Sequence, residues 1–225
     1  MMIAAERGYA DLVNLLLTNK ARAKKKNRKK ESALTLAIKN NHWNVVQILN
    51  PAYKLPAKPI LPVKPIAKKE DRTFKPENIK LIEAIKEDNV EKLSLLLRTG
   101  EVAINDQYSD KGKSPLMYAV YYGSFRTAKF LLKNKADLTL FDSTGSDAIM
   151  QPILFSRLEK DNIIYPHHLF VIRLLLGAGA DINTKDYIGD SFLYNSSYYN
   201  QYEMVKIALE FKAKVNMPNE KGLTP

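Results

Sequence analysis

The chain has 225 residues, 45% of them hydrophobic, with 35 Lys/Arg against 24 Asp/Glu and no cysteine. A chain without cysteine has no disulfide framework and no thiolate metal site, which agrees with an intracellular setting. Residues 1–76 hold 17 Lys/Arg against 5 Asp/Glu and residues 77–225 hold 18 against 19, so the net charge of +11 belongs to one end of the molecule.

The opening MMIAAERGYADLVNLLL places Glu6, Arg7 and Asp11 where a signal peptide needs an apolar core. The most apolar later run, Leu169 to Ile182, is interrupted by Arg173, and no membrane span is predicted. Lys20 to Lys30 reads KARAKKKNRKK, in which Lys20, Arg22, Lys24, Lys25, Lys26, Arg28, Lys29 and Lys30 are basic. Three readings stand side by side: a solvated, self-repelling loop, a one-part nuclear-import signal, or a contact for nucleic acid or acidic lipid. No aromatic residue interrupts the run, so bases have no stacking platform in it.

A helical stretch ends at Asn50, because Pro51 cannot continue it. Pro56, Pro59, Pro62 and Pro65 then recur every third residue, the period of a polyproline II helix, and predict a semi-rigid spacer. The alternative is a PxxP ligand over Pro59–Lys64, with lysine where such ligands prefer arginine. Pro76–Glu77–Asn78 opens the next helix. Ser114–Pro115 opens another, with Ser as N-cap and Pro at the first helical position, and Gly123 breaks it.

The segment from Ser114 to Asp142, SPLMYAVYYGSFRTAKFLLKNKADLTLFD, resembles the ankyrin repeat, whose pattern is T-P-L-H-x-A-A-x-x-G-H-x-E-V-V-x-L-L-L-x-x-G-A-D-V-N. Anchored on the first-helix alanine, Ala4 and Ala37 lie 33 residues apart and Ala84 and Ala119 lie 35 apart. Pro152 holds that place in a fifth copy and Ser196 in a sixth, while Gly222–Leu223–Thr224–Pro225 opens a seventh. The resemblance implies an all-α solenoid of stacked helix–turn–helix units with projecting finger loops, in which no copy buries its apolar face alone. Residues 1–50 read as two repeats ending one array, 51–75 as the spacer, and 76–225 as a second array of four repeats plus the start of another. The first copy lacks its T-P opening and the last stops just after its own, so a fragment of a longer protein is expected. Two repeats fall short of independent stability, so 1–50 should be weakly ordered unless it folds back on the rest. In the fifth copy Pro152 and Leu176 lie 24 positions apart against 13 in the family pattern. Pro152 is expected to distort its helix, and His167 and His168 to be surface polar residues at a helix start.

Catalytic chemistry finds no foothold. No serine sits in a nucleophile elbow, the three histidines are scattered over two repeats, and no glycine loop cradles phosphate. Asp137, Asp142, Asp181 and Asp186 occupy the family's finger positions and should cap turns. Neither a metal site nor a cofactor nor a small-molecule substrate is predicted. What the resemblance implies is recognition: in ankyrin proteins the two residues before the first-helix glycine face the concave groove. Here those pairs are Glu6/Arg7, Lys39/Asn40, Lys86/Glu87, Tyr121/Tyr122, approximately Leu154/Phe155, and Tyr198/Tyr199, with Tyr118 joining the same helix surface. The expected function is a non-catalytic protein-interaction module that binds a protein partner through Tyr118, Tyr121, Tyr122, Phe155, Tyr198 and Tyr199. Nuclear targeting or polyanion binding through residues 20–30, or service as the targeting arm of an enzyme encoded elsewhere, are the alternatives. The Lys/Asn/Ile/Tyr-rich composition suits an AT-rich genome such as that of an intracellular bacterium, where an effector role would fit.

Overall fold

The computed structural model describes residues 1–53, 76–109, 111–158 and 164–225. Among these it is helical, with isolated bridges only, and it divides into two compact units. One unit comprises the described residues of Met1–Lys68 together with Ile188–Pro225, and the other those of Lys69–Tyr187. Contacts thus group 188–225 with the N-terminal repeats, whereas the sequence reading grouped it with 76–187. The spacer prolines Pro56, Pro59, Pro62 and Pro65 lie outside the described residues.

The first unit contains α1 (Met2–Glu6), α2 (Ala10–Thr18), α3 (Ala33–Lys39), α4 (Trp43–Leu49), α11 (Phe192–Tyr198) and α12 (Tyr202–Glu210). Short first helices stack on one another, α1 on both α3 and α11, and α2 packs on α4. Ala4 and Ala37 are fully buried, since only a methyl group lets these helices approach so closely. Ser196 and Ser197 take the alanine places in α11 and are also fully buried. The Ser196 hydroxyl donates back to the Phe192 carbonyl at 2.8 Å, while Ser197 Oγ finds no partner among the described residues.

The backbone of Thr224 lies against the start of α1. The Thr224 carbonyl accepts from the Ile3 N–H at 3.1 Å, and Thr224 Oγ1 accepts from the Met2 N–H at 3.4 Å. Thr224–Pro225 therefore stands where the family's T-P stands, directly before α1, and satisfies N–H groups that the first turn leaves without intrahelical partners. With α1 also packed on α11, residues 1–50 have a stacking partner in 188–225.

The second unit contains α5 (Pro76–Lys86), α6 (Val90–Arg98), α7 (Pro115–Tyr122), α8 (Phe125–Lys133), a 3₁₀ turn (Ala148–Met150), α9 (Gln151–Leu158) and α10 (Pro166–Gly177). α5 packs on α7 and α7 on α9, while α6 packs on α8 and α8 on α10, so first and second helices form separate layers. Ser114 caps α7 by accepting from the Met117 N–H, with Pro115 at the first position as the sequence predicts. α8 receives its cap from the preceding repeat: the Asp88 carboxylate accepts from the backbone N–H groups of Arg126 at 3.0 Å and Thr127 at 2.7 Å. Pro152 does less damage than expected, because α9 begins at Gln151 and places it in the first turn, where a missing N–H is harmless. The cost is local: the turn before it is 3₁₀, capped by Asp147.

Asp137, Asp142 and Asp181 cap their finger turns as the sequence suggests. Asp142 Oδ1 accepts from the Thr144 N–H at 2.8 Å and the Ser146 N–H at 3.1 Å, and its Oδ2 accepts from Gln151 Nε2 at 3.1 Å. Asp137 accepts from the Thr139 N–H and Asp181 from the Asn183 N–H.

Two stability outcomes are expected. Thr224→Ala should destabilise the first unit by about 1 kcal/mol, as loss of a helix-cap hydroxyl does, and deletion of residues 219–225 should cost more. Ser197→Ala, which removes a buried unbonded hydroxyl, should stabilise by about 1 kcal/mol. Urea unfolding of the three variants checks both.

Candidate partner-binding surface

In the second unit the rings gather around Tyr121, near the end of α7. Its ring meets Tyr122 edge-on at 5.0 Å between centroids and Phe155 of α9 at 5.3 Å, and Lys113 Nζ lies over its face at 4.0 Å. Lys86 Nζ lies 5.0 Å from the Tyr122 ring centre. Phe155 is thus in register with its neighbour despite the long insertion that follows it. Tyr121, Tyr122 and Phe155 are each half-buried. Burial pushes the Tyr122 hydroxyl up to about 12, which keeps it neutral and a hydrogen-bond donor at physiological pH.

Tyr118 does not belong to this surface. It is 2% exposed, and its hydroxyl lies 3.2 Å from Ser109 Oγ of the preceding finger. The finger folds over that turn of α7 and covers the ring, so its role is packing.

Of the two histidines, His167 is exposed at a helix start as expected, and His168 departs from expectation. α10 does begin at Pro166, but His168 is fully buried, with Nε2 donating to the Tyr121 carbonyl at 3.1 Å and its ring 4.8 Å from Phe155. His167 stacks on Tyr165 and covers Gly123, where φ is +70° and a Cβ would overlap the imidazole. The insertion therefore returns an aromatic group against the end of α7, and Tyr165 and His168 extend the cluster beyond what the sequence indicated. Both face the same strip as Phe155, a signal hidden by the lengthened loop.

In the first unit Tyr198 is the centre. Arg7 lies over its ring at 3.9 Å, Tyr199 meets it edge-on at 4.8 Å, and Tyr194 stacks at 6.5 Å. Tyr9 Oη reaches the Tyr198 carbonyl at 3.5 Å. Arg7, one of the charged groove pairs, thus serves the tyrosine cluster directly, and desolvation raises the Tyr194 and Tyr9 hydroxyls. Tyr198 and Tyr199 are half-buried, like their counterparts in α7.

Of the basic run, Lys20, Arg22, Lys24, Lys26, Arg28, Lys29 and Lys30 are exposed and Lys25 is half-buried, all on the finger between α2 and α3. Among the described residues no group of three or more His, Asp or Glu side chains is placed to hold a metal ion, and no helix is long and apolar enough to cross a membrane.

The ankyrin-repeat family, described as Ankyrin repeats (3 copies), matches residues 1–59 and 60–142, and Ankyrin repeats (many copies) matches residues 161–209. The chain is similar to human inversin, 27% identical over 153 residues, covering 57% of this chain and 14% of inversin. It is 31% identical over 137 residues to ankyrin repeat protein L86 of Acanthamoeba polyphaga mimivirus, covering 54% of this chain and 23% of that one. A third relative, palmitoyltransferase AKR1 of Lachancea kluyveri, is 26% identical over 125 residues, 56% of this chain and 16% of its own length. Each match spans less than a quarter of the relative's length.

Two buried groups of the second unit give its stability a signed pH dependence. Burial lowers His168 from 6.5 to about 4, so its contribution is present above pH 6.5 and lost as pH falls through 4. Burial raises Asp147 from 3.8 to about 6, against the Thr184 hydroxyl donating to it at 2.7 Å. That contribution is present below pH 3.8 and lost as pH rises through 6. Between pH 4 and 6 the two oppose each other. Relative to the parent chain, His168→Gln should gain stability on acidification from pH 6.5 to 4 and Asp147→Asn should lose it, each by on the order of 3 kcal/mol. Urea midpoints measured across that range check the signs.

Proposed function

The chain belongs to the ankyrin-repeat family, whose repeats are protein–protein interaction modules, and we propose that it binds a protein partner through the half-buried aromatic rings of α7, α9 and α11. In this reading it carries no catalysis of its own and acts inside a cell. The palmitoyltransferase relative offers a precedent for the variant in which such repeats accompany an enzyme in one longer chain.

The observation that carries the proposal is the way Tyr121 and Tyr198 are held. Each occupies the same place in its repeat, is flanked by the next residue's ring edge-on, and carries a cation over one face. Core packing asks for none of this, because the buried positions are the adjacent alanines, serines and leucines. Rings fixed before binding lose little rotamer freedom on contact, which is why tyrosine and arginine dominate binding hot spots. The cations hold the rings in place, Lys113 from a buried position and Arg7 from a half-buried one. Tyr118 takes no part, and the surface gains Tyr165 and Arg7.

The test is affinity capture from cell lysate with mass spectrometry, comparing the parent chain with Tyr121→Ser/Tyr122→Ser and with Tyr198→Ser/Tyr199→Ser. A partner held by these rings should bind about 30-fold more weakly to at least one variant at unchanged circular dichroism, the loss of one hot spot of roughly 2 kcal/mol. Retention of every captured protein by both folded variants would rule the rings out as the site.

A further inference from the structure

The basic finger absorbs none of the binding role assigned to the rings, and it does not stand alone. We infer that residues 20–31 and 212–221 of the first unit together form a surface for the phosphate backbone of duplex nucleic acid, read without regard to base sequence.

The two stretches hold eleven cations, namely the eight of the first finger with Lys212, Lys214 and Lys221, against the two carboxylates Glu31 and Glu220. Backbone-level contacts fix them side by side. The Arg22 N–H donates to Asn216 Oδ1 at 2.8 Å, Lys25 Nζ donates to the Asn216 carbonyl at 3.0 Å, and the Arg28 N–H donates to the Lys221 carbonyl at 3.4 Å. Glu31 is already engaged, accepting from Lys39 at 3.2 Å and from Asn27 Nδ2 at 3.0 Å. Lys212, Lys214 and Lys221 are exposed, as are all the first finger's cations except Lys25.

The finger is folded, and that separates the readings left by the sequence. Lys26 bridges Ser32, the Asn27 N–H donates to the Glu31 carbonyl at 2.9 Å, the Lys30 N–H donates to the Asn27 carbonyl at 2.9 Å, and Lys30 turns through φ +62°. An import signal is a linear motif taken from one stretch of chain, whereas here the basic run is bent into a hairpin and built into a two-stretch surface. A membrane face gains its hold when apolar groups enter the bilayer, yet among the described residues the exposed large apolar side chains all lie elsewhere. With no aromatic ring in either stretch, stacking on single-stranded bases is also missing. A duplex presents one negative charge per roughly 1.7 Å of axis, the densest polyanion the cell offers to such an array, and binding would release condensed counterions.

The experiment is fluorescence anisotropy of the full chain with a labelled random-sequence duplex of about 20 base pairs, titrated at several salt concentrations. Vesicles containing phosphatidylserine form a parallel arm. If about six cations meet phosphates, affinity should fall roughly a thousandfold between about 50 and 200 mM salt. Lys24→Gln/Lys26→Gln/Lys29→Gln and Lys212→Gln/Lys214→Gln/Lys221→Gln should each flatten the log–log slope by about 2 to 3. Lys25 is left intact because it ties the two stretches together. No duplex binding at low salt, preference for the vesicles, or a slope indifferent to the Lys212, Lys214 and Lys221 changes would each overturn the inference.

Discussion

A helix pair with one apolar face cannot bury that face by itself, and this constraint governs the whole chain. It demands small residues where first helices meet, which is why Ala4, Ala37, Ala84 and Ala119 are all buried to within 1%. It also explains why the N-terminal repeats sit with 188–225 rather than alone. α1 packs on both α3 and α11, and Thr224 accepts from the N–H groups of its first turn. Stacking makes each repeat responsible for its neighbour's backbone as well as its core, as Asp88 capping α8 shows.

The surface chemistry follows from that rigidity. Residues just past the buried alanines are half-buried, so large side chains there are held without being hidden. Tyr121 and Tyr198 use the position in parallel ways, and in the second unit the cluster is closed from behind by His168, whose neutral imidazole donates to the Tyr121 carbonyl. The fingers offer a different surface, made of turns and charge, and the separation of the two lets one scaffold present aromatic and cationic faces independently.

The repeat register was legible because its signals are local: alanine at fixed spacing, Ser–Pro at a helix start, glycine at a helix end. The turn-capping aspartates were legible for the same reason. Tyr118 was not, because its burial depends on Ser109 and a finger that folds back over α7, which helical spacing does not reveal. His168 was misplaced because the insertion of the fifth repeat hides which face its helix returns to. That Thr224 contacts α1 across the first unit is a fact of topology and not of pattern. Register alone picks out Tyr121, Tyr122, Phe155, Tyr198 and Tyr199, and each is half-buried.

The central claim is that stacking makes residues 1–50 and 188–225 one cooperative body. Native-state hydrogen exchange on the full chain, read as a function of denaturant, tests it most directly. Amides of α1, α3, α11 and α12 should share one opening free energy and one denaturant dependence. Near-complete exchange of α1 and α3 while α11 and α12 stay protected would show that the N-terminal repeats are not held by that stack.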